Sequence, residues 1–421
     1  VKVGFLVNDL QLSGGVGVIA QHARRLAAID GWDVSLILAR EQAEASWHGY
    51  EQLAHVHVST RDEAREQHFD IVVATWWETT FTLFELSADR YAYFVQSLED
   101  RFYRHDEAER LGAALTLDLP VAFITEARWI ADTLAQIRPD APCYLVRNGI
   151  DKDVFAIPEQ APVNDERPLR VLIEGSAGSW FKRVHAAIDA VSEMREPHAL
   201  TVVSGDRAAL GDVRADRIVG PLSHRQMAEL YDSTDVLLKL SSVEGMFGPP
   251  LEGFHRGATC VVTPVTGHEE YVEHGWNGML TDWEDLRGTA RTLDLLARDR
   301  ALLGFLRTNA LQTARSWPSW EQSSQFMAAA LQAIRRDPAP APAAGAARLL
   351  ADLRGGLERY SGQMAERAAL ERRALRLERL MRRVRHSPPV RGIFALRRFR
   401  LVRLLATPAR PLMRRLRRLT P

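Results

Sequence analysis

Two carboxylates, Glu244 and Glu252, stand eight positions apart in the stretch EGMFGPPLEG. Pro249 and Pro250 carry no backbone N–H, so a helix cannot run through them, although both suit a helix's first turn. Glu244 is therefore expected on a loop and Glu252 inside the turn that follows it. A carboxylate at a helix start can accept both hydroxyls of a ribose. The amides of Met246, Phe247 and Gly248 can reach sugar oxygens, and glycine at 248 lets the backbone come close. This chemistry fits a nucleotide-sugar. The spacing equally admits helix capping by Glu252 and a surface role for Glu244.

A second candidate is SGGVGVIA (13–20), which follows the first apolar run and opens a helix. Gly15, Gly17 and Ala20 match a relaxed dinucleotide fingerprint. The true fingerprint turns almost directly off its strand and has an acid closing the second strand. Here Asn8 to Ser13 intervene, and the second strand ends at Ala39-Arg40. The reading preferred for Gly14-Gly15 is a helix N-terminus whose free N–H groups and dipole favour a phosphate or an acceptor oxygen; the alternative is a tight turn and nothing more. Asp151-Lys152-Asp153 has the form of a metal–nucleotide signature but lies in an inter-domain linker, so it reads as solvated charge. Cys143 and Cys260 give neither a disulfide framework nor zinc spacing. No metal site is expected.

The elements that must position these residues alternate. VKVGFLV (1–7), VSLILA (34–39), DIVVATWW (70–77), YAYFVQ (91–96) and VAFITE (121–126) read as strands. Ile19–Ile29 and ARWIADTLAQI read as helices, and CYLVRNGI (143–150) closes the half. The pattern restarts with LRVLIEG (169–175), a helix over 183–195, then ALTVVSG (199–205), DRIVG (216–220), DVLLKLS (235–241) and TCVVTP (259–264). Continuous apolar strands alternating with amphipathic helices predict parallel sheets covered on both faces. The expectation is α/β: a Rossmann-like domain over 1–165, a second over 166–336 ending in a helix near Trp320–Arg335, a Pro/Ala spacer over 337–347, and a basic helical tail over 348–421. Two doubly wound domains leave a cleft at the carboxyl ends of their strands, where ligands bind.

EGMFGPPLEGFHRGATCVVTPVTGHEEYVEHGWNG closely resembles the retaining, GT-B-fold glycosyltransferase family 4. That family has two Glu separated by seven residues, a small-residue helix, a strand, and a G-x-x-E…G-x-N-G segment. Glu244, Glu252, Gly267, Glu270, Gly275, Asn277 and Gly278 fall in register. VRNGID with Phe155 is similar to the family's domain junction, and the likeness extends over roughly residues 1–335. YFVQSLEDRFY (93–103) is similar to a bacterial rhamnosyltransferase branch that uses dTDP-rhamnose in surface-polysaccharide (lipopolysaccharide-type) synthesis.

By this resemblance Glu252 would hold the ribose, Glu244 and the Met246–Gly248 amides the sugar, and Lys182 the diphosphate. The bland reading of Lys182 is a helix-start surface lysine. The family usually has an arginine shortly before that lysine, where this chain has Ser176, Ala177, Gly178 and Ser179. Arg183 is the candidate substitute. Gln96, Glu99 and Tyr103 are candidates for the acceptor side, the acceptor being a glycan or lipid-linked glycan. An inverting reaction would need a base, with Asp9, His22, Glu99 and His105 as nominal candidates. No cofactor is implied, since the nucleotide-sugar is a substrate. The rival readings are a nucleotide-sugar epimerase of the same shape and a catalytically inactive scaffold that docks through its tail.

Charge is unevenly spread. Residues 351–421 hold 20 Arg, no Lys and 5 acids, and the preceding 350 hold 34 basic and 49 acidic residues. From Leu349 to Val384 apolar residues recur near heptad spacing, with Gly355-Gly356 expected to interrupt the helix. The 390–421 segment alternates apolar residues with Arg at helical spacing, which suits an anionic membrane surface. A protein partner is the rival, and nucleic acid is disfavoured. A strand-like start, the cysteine usage and the lack of a membrane-length apolar run point to a cytoplasmic protein, and the basic tail to a peripheral place on the inner face of the plasma membrane.

Overall fold

The structure, a computed structural model, describes residues 1–11, 14–40, 53, 55–160, 167–337 and 345–386. Ser13, part of the 151–168 linker, most of the Pro/Ala spacer and the 390–421 segment lie outside the described residues.

The first sheet contains β1 (Lys2–Val7), β2 (Asp33–Leu38), β3 (His57–Thr60), β4 (His68–Ala74), β5 (Ser87–Val95), β6 (Ala122–Thr125) and β7 (Cys143–Leu145). All pairings are parallel, in the order β3-β2-β1-β4-β5-β6-β7. The second contains β8 (Leu169–Glu174), β9 (His198–Val203), β10 (Arg217–Val219), β11 (Val236–Lys239), β12 (Thr259–Val262) and β13 (Met279–Leu280). It is also parallel, ordered β10-β9-β8-β11-β12-β13. Both are doubly wound Rossmann-like sheets, and in each the order reverses beside its first strand, at β1/β4 and β8/β11. Crevices for ligands open at such points, beyond the carboxyl ends of the strands.

The central strands are mostly apolar because helices cover both faces. Val3, Phe5, Ile71 and Val73 pack into one core of the first domain, and Leu6, Phe69, Val72 and Tyr93 into the other. Leu172, Leu237 and Val262 face one core of the second domain, with Val171, Leu238 and Val261 on the opposite face. The helix Trp320–Arg336 follows the second domain in sequence, yet Met327, Leu331 and Ile334 pack into the first domain's core beside Ile19, Ala23 and Leu26. Its capping box, Ser319 with Gln322, starts it just after the chain has crossed back.

The helix Ala346–His386 runs unbroken through Gly355-Gly356, against the expected interruption. Leu350, Leu353 and Leu357 seat its first turns on the first domain's core, and that packing outweighs the roughly 1 kcal/mol that each helical glycine costs. From Glu358 onward the chain forms a separate unit. On that stretch Leu370, Leu375, Leu377, Leu380 and Met381 are exposed. Among the described residues no helix is long and apolar enough to cross a membrane.

Candidate functional site

The loops after β8 and β11 flank the second sheet's reversal point and carry the candidate residues. After β8 a short turn, Trp180–Lys182, leads into the helix Val184–Ser192. After β11 the chain runs through Glu244 to the helix Gly248–His255, with the prolines in its first turn as expected. Glu252 falls one position later than expected, opening the second turn. The loop brings Glu244 against Lys182, with Nζ 2.7 Å from Oε2. Glu244 is 7% exposed, and its Oε1 accepts no hydrogen bond from the described residues.

Beneath this pair lies a charged layer. Lys239, fully buried at the end of β11, donates to the carbonyl oxygen of Glu174 at 2.9 Å and to its Oε2 at 2.8 Å. Its Nζ is 4.0 Å from Glu244 Oε1. Burial opposes the Lys239 charge, but the Glu174 and Glu244 carboxylates outweigh it and hold the amine above its usual range. Burial also pushes the Glu174 carboxyl up, while Lys239 and Lys182 hold it below its ordinary value. Glu252 is pushed up to about 8, by burial and then by the Glu174 charge, against the pull of Lys239 and the Tyr231 hydroxyl. Three carboxylates and two lysines thus meet where the sheet order reverses. Removing one partner of such a buried pair typically costs about 3–5 kcal/mol, so Lys239 also supports the fold.

The sugar-side amides are partly engaged. Met246 N donates to Glu126 Oε1 of the first domain at 2.9 Å, and Gly248 N to Met246 O at 3.0 Å. Phe247 is a core side chain. A Cβ on Gly248 would meet nothing within 4 Å, which leaves its backbone open to close approach.

Arg183 has φ 49°, the one positive φ outside glycine among the described residues. That conformation costs roughly 1–2 kcal/mol in an L-residue. The arginine donates to Trp283 O at 2.8 Å and pairs with Glu284 at 3.4 Å. Its guanidinium thus bonds the segment after β13.

The two domains meet tightly at Gly245. A Cβ there would lie 1.9 Å from Gln96 O, and one on Gly267 would lie 2.3 Å from Gly245 O. Gly267 also has φ +94°, so a side chain is doubly excluded. Trp129 Nε1 donates to Gly245 O at 3.0 Å. Glu270 accepts from the amides of Arg128 and Trp129 at 2.5 and 3.4 Å, capping the first-domain helix Arg128–Ile137 from across the seam. Asn277 is buried and holds the loop after that Glu through Glu273 N, Tyr271 O and Thr313 Oγ1. The G-x-x-E…G-x-N-G segment therefore supports the seam and the loop.

Gln96 faces the second domain at Gly245 and donates from its carboxamide to Thr75 O at 3.3 Å. Its carboxamide is 3.2 Å from where a Gly15 side chain would begin, so the glycine turn opening the helix Gly14–Ala27 shares its neighbourhood. Glu99 and Tyr103 both engage Trp77. Glu99 is buried, accepts from Trp77 N at 2.6 Å and Tyr93 OH at 3.0 Å, and burial holds its carboxyl well above the usual range. Tyr103 OH accepts from Trp77 Nε1 at 2.9 Å. Both brace the Trp77 turn. Of the nominal bases, His22 is fully buried between Phe94 and Trp320, and burial pushes it down to about 3. Asp9 caps Gln11 N, and His105 lies exposed against Arg110. Asp151 accepts from the amides of Asp153 and Val154 at 3.2 Å, an ordinary turn cap.

Sequence reasoning missed Glu126, Glu174, Lys239 and Tyr231. Glu126 receives Met246 N and Asn148 Nδ2, and burial pushes it up to about 7. The overlooked signal was a lysine inside VLLKL and a glutamate ending LRVLIE, since a buried charge in an apolar strand needs a partner.

Residues 168–299 match the family model described as "Glycosyl transferases group 1". The chain is 26% identical over 186 residues to N-acetyl-alpha-D-glucosaminyl L-malate synthase of Bacillus anthracis, covering 41% of this chain and 49% of that relative. The match thus spans about half of that protein's length. Among solved structures, Anabaena HepE in complex with UDP and glucose superposes with a TM-score of 0.63 at 16% identity, covering 79% of this chain and 99% of that one. Sucrose-phosphate synthase from Thermosynechococcus elongatus gives 0.63 at 15%, covering 79% and 98%. The fold is that of the GT-B glycosyltransferases.

Proposed function

We propose that this chain, with a second domain matching the group 1 glycosyltransferases and a GT-B fold, moves a sugar from a nucleotide-sugar to a glycan or lipid-linked glycan. The observation that carries the reading is the convergence of Lys182, Glu244, Lys239, Glu174 and Glu252 where the second sheet's order reverses. An ionised Glu252 accepts the ribose hydroxyls. Lys182 stabilises the leaving diphosphate as a point charge. Glu244 positions that lysine and offers to a sugar hydroxyl its Oε1, which accepts no hydrogen bond from the described residues. The helix N-termini at Gly14 and Gly248 add positive potential.

In a retaining course, the acceptor hydroxyl attacks from the face the diphosphate leaves, and the departing phosphate takes its proton. No protein base is required, in keeping with the buried His22 and Glu99. Lys182 and the helix N-termini supply the charge stabilisation, so the reading uses no metal. HepE was solved with UDP and glucose bound, which favours a uridine donor; YFVQSLEDRFY favours dTDP-rhamnose and a surface polysaccharide. The site of action proposed is the cytoplasmic membrane surface, reached through the Arg-rich 390–421 segment.

A thermal-shift series with UDP, dTDP, GDP, ADP and NAD tests the core of this reading. A nucleotide at a hundred times its Kd stabilises by about 2.7 kcal/mol. The expected result is a shift with one nucleoside diphosphate, lost in Glu252→Ala, together with slow hydrolysis of the matching nucleotide-sugar. No shift with any of them refutes the transferase. Flotation with anionic liposomes tests the membrane role, on a chain cut after His386 because Leu350 belongs to the first domain's core. Equal flotation of cut and full chains excludes the 390–421 segment as anchor.

A further inference from the structure

Four aromatic rings bridge the two domains beside the charged cluster. Trp76 follows β4 and stacks on Phe102, with centroids 5.9 Å apart and planes at 23°. Phe102 lies 5.1 Å from Phe181 of the second domain, which meets Trp180 edge to face at 5.8 Å. Trp180 Nε1 donates to Phe102 O at 3.2 Å, fixing the outermost ring across the seam. Lys182 Nζ stands 5.6 Å from the Phe181 ring centroid, so the platform begins where the leaving-group charge is held. Rings that served only to glue the domains would be buried. Trp180 instead keeps 45% of its surface exposed, and Trp76, Phe102 and Phe181 are half-buried.

We propose that Trp76, Phe102, Trp180 and Phe181 form the acceptor subsite, on which a pyranose ring of a saccharide acceptor stacks. This rests on the transferase reading above. An aromatic face is the negative side of a quadrupole, and the C–H face of a pyranose is its positive complement. One exposed tryptophan flanked by half-buried rings matches a single sugar ring, and is much smaller than the patches that dock proteins or membranes. The rings are already fixed by stacking and by the Trp180–Phe102 hydrogen bond, so little ordering opposes binding.

Saturation-transfer NMR on the full chain tests this, in the presence of whichever nucleoside diphosphate stabilises it. The probes are maltose, lactose, chitobiose, methyl α-rhamnopyranoside and dodecyl phosphate. The expected result is transfer to the C–H face of at least one saccharide, weakened more than tenfold in both Trp180→Ala and Trp76→Ala and regained in Trp180→Tyr. Circular dichroism verifies that the variants fold, and Trp76→Ala, remote from Lys182 in sequence, keeps the test valid if Trp180→Ala does not. Nucleotide binding without any saccharide signal, or a saccharide signal indifferent to both variants, overturns the platform alone. Tryptophan-dependent binding of dodecyl phosphate without saccharides also overturns it, in favour of a lipid site. Absence of nucleotide binding overturns the underlying transferase reading.

Discussion

Raising the pH should tighten donor binding, because Glu252 must ionise before it can accept two ribose hydroxyls. Its carboxyl is pushed up to about 8, first by burial and then by the nearby Glu174 charge. Such a group is only ~3% ionised at pH 6.5 and ~76% ionised at pH 8.5. If only the ionised form binds, the apparent Kd is the intrinsic value divided by that fraction. Affinity should therefore rise about 25-fold between these pH values, or about 2 kcal/mol. Isothermal titration with an intact nucleotide-sugar is the suitable assay, since its diphosphate has no proton to lose in this range. Glu252→Gln should bind weakly and with a flat profile. A flat profile in the wild-type chain, or an equal slope in Glu252→Gln, would refute the assignment.

Lys182→Ala should lower kcat by about 10²-fold or more with a smaller change in donor KM, because the charge acts on the developing diphosphate; steady-state rates decide it. Gly245→Ala forces a methyl into the Gln96 carbonyl and should destabilise by about 1–3 kcal/mol, read as a lower melting temperature and faster proteolysis at the domain seam. His22→Leu should leave the pH–rate profile unchanged and kcat within about twofold, whereas loss of a true general base costs about 10²–10⁴. Between pH 5 and 8 the raised Glu126 and Glu252 carboxyls bind more protons folded than unfolded, so their contribution to stability falls as pH rises. Glu126→Gln with Glu252→Gln should flatten that part of the melting-temperature profile.

The central strands were legible because burial on both faces leaves an uninterrupted apolar run, as in VKVGFLV. β3 was not, since HVST is an exposed edge strand with little apolar content. β13 has two residues and no pattern to read. Glu244, Glu252 and Lys182 were found through spacing and resemblance, and the fold puts them in one cluster. Arg183 was read as a phosphate ligand from its adjacency to Lys182, yet one residue in the left-handed region turns its side chain to Trp283. Glu99 and Tyr103 were read as candidates for the acceptor side, and the fold engages both with Trp77, through its amide and its indole N–H. Glu126 was missed because pairing across domains leaves no trace in local periodicity, and Lys239 because its partner Glu174 lies on the neighbouring strand, distant in sequence.

The return of the helix Trp320–Arg336 to the first domain means that the polypeptide passes between the domains twice. The outgoing segment near Ile150 and the returning one at Ser319 are bridged to each other, and Trp317 Nε1 and Ser323 Oγ fasten the return to the carbonyls of Asn148 and Arg147. A single tether would let one body swivel and twist about the other. Two adjacent tethers act like a door hung on two pins, leaving essentially one swing as the easy motion. Any widening of the cleft should then separate Gly245 from Gln96 along a reproducible arc, so that each closing returns Lys182 and Glu244 to the same register against the glycine turn.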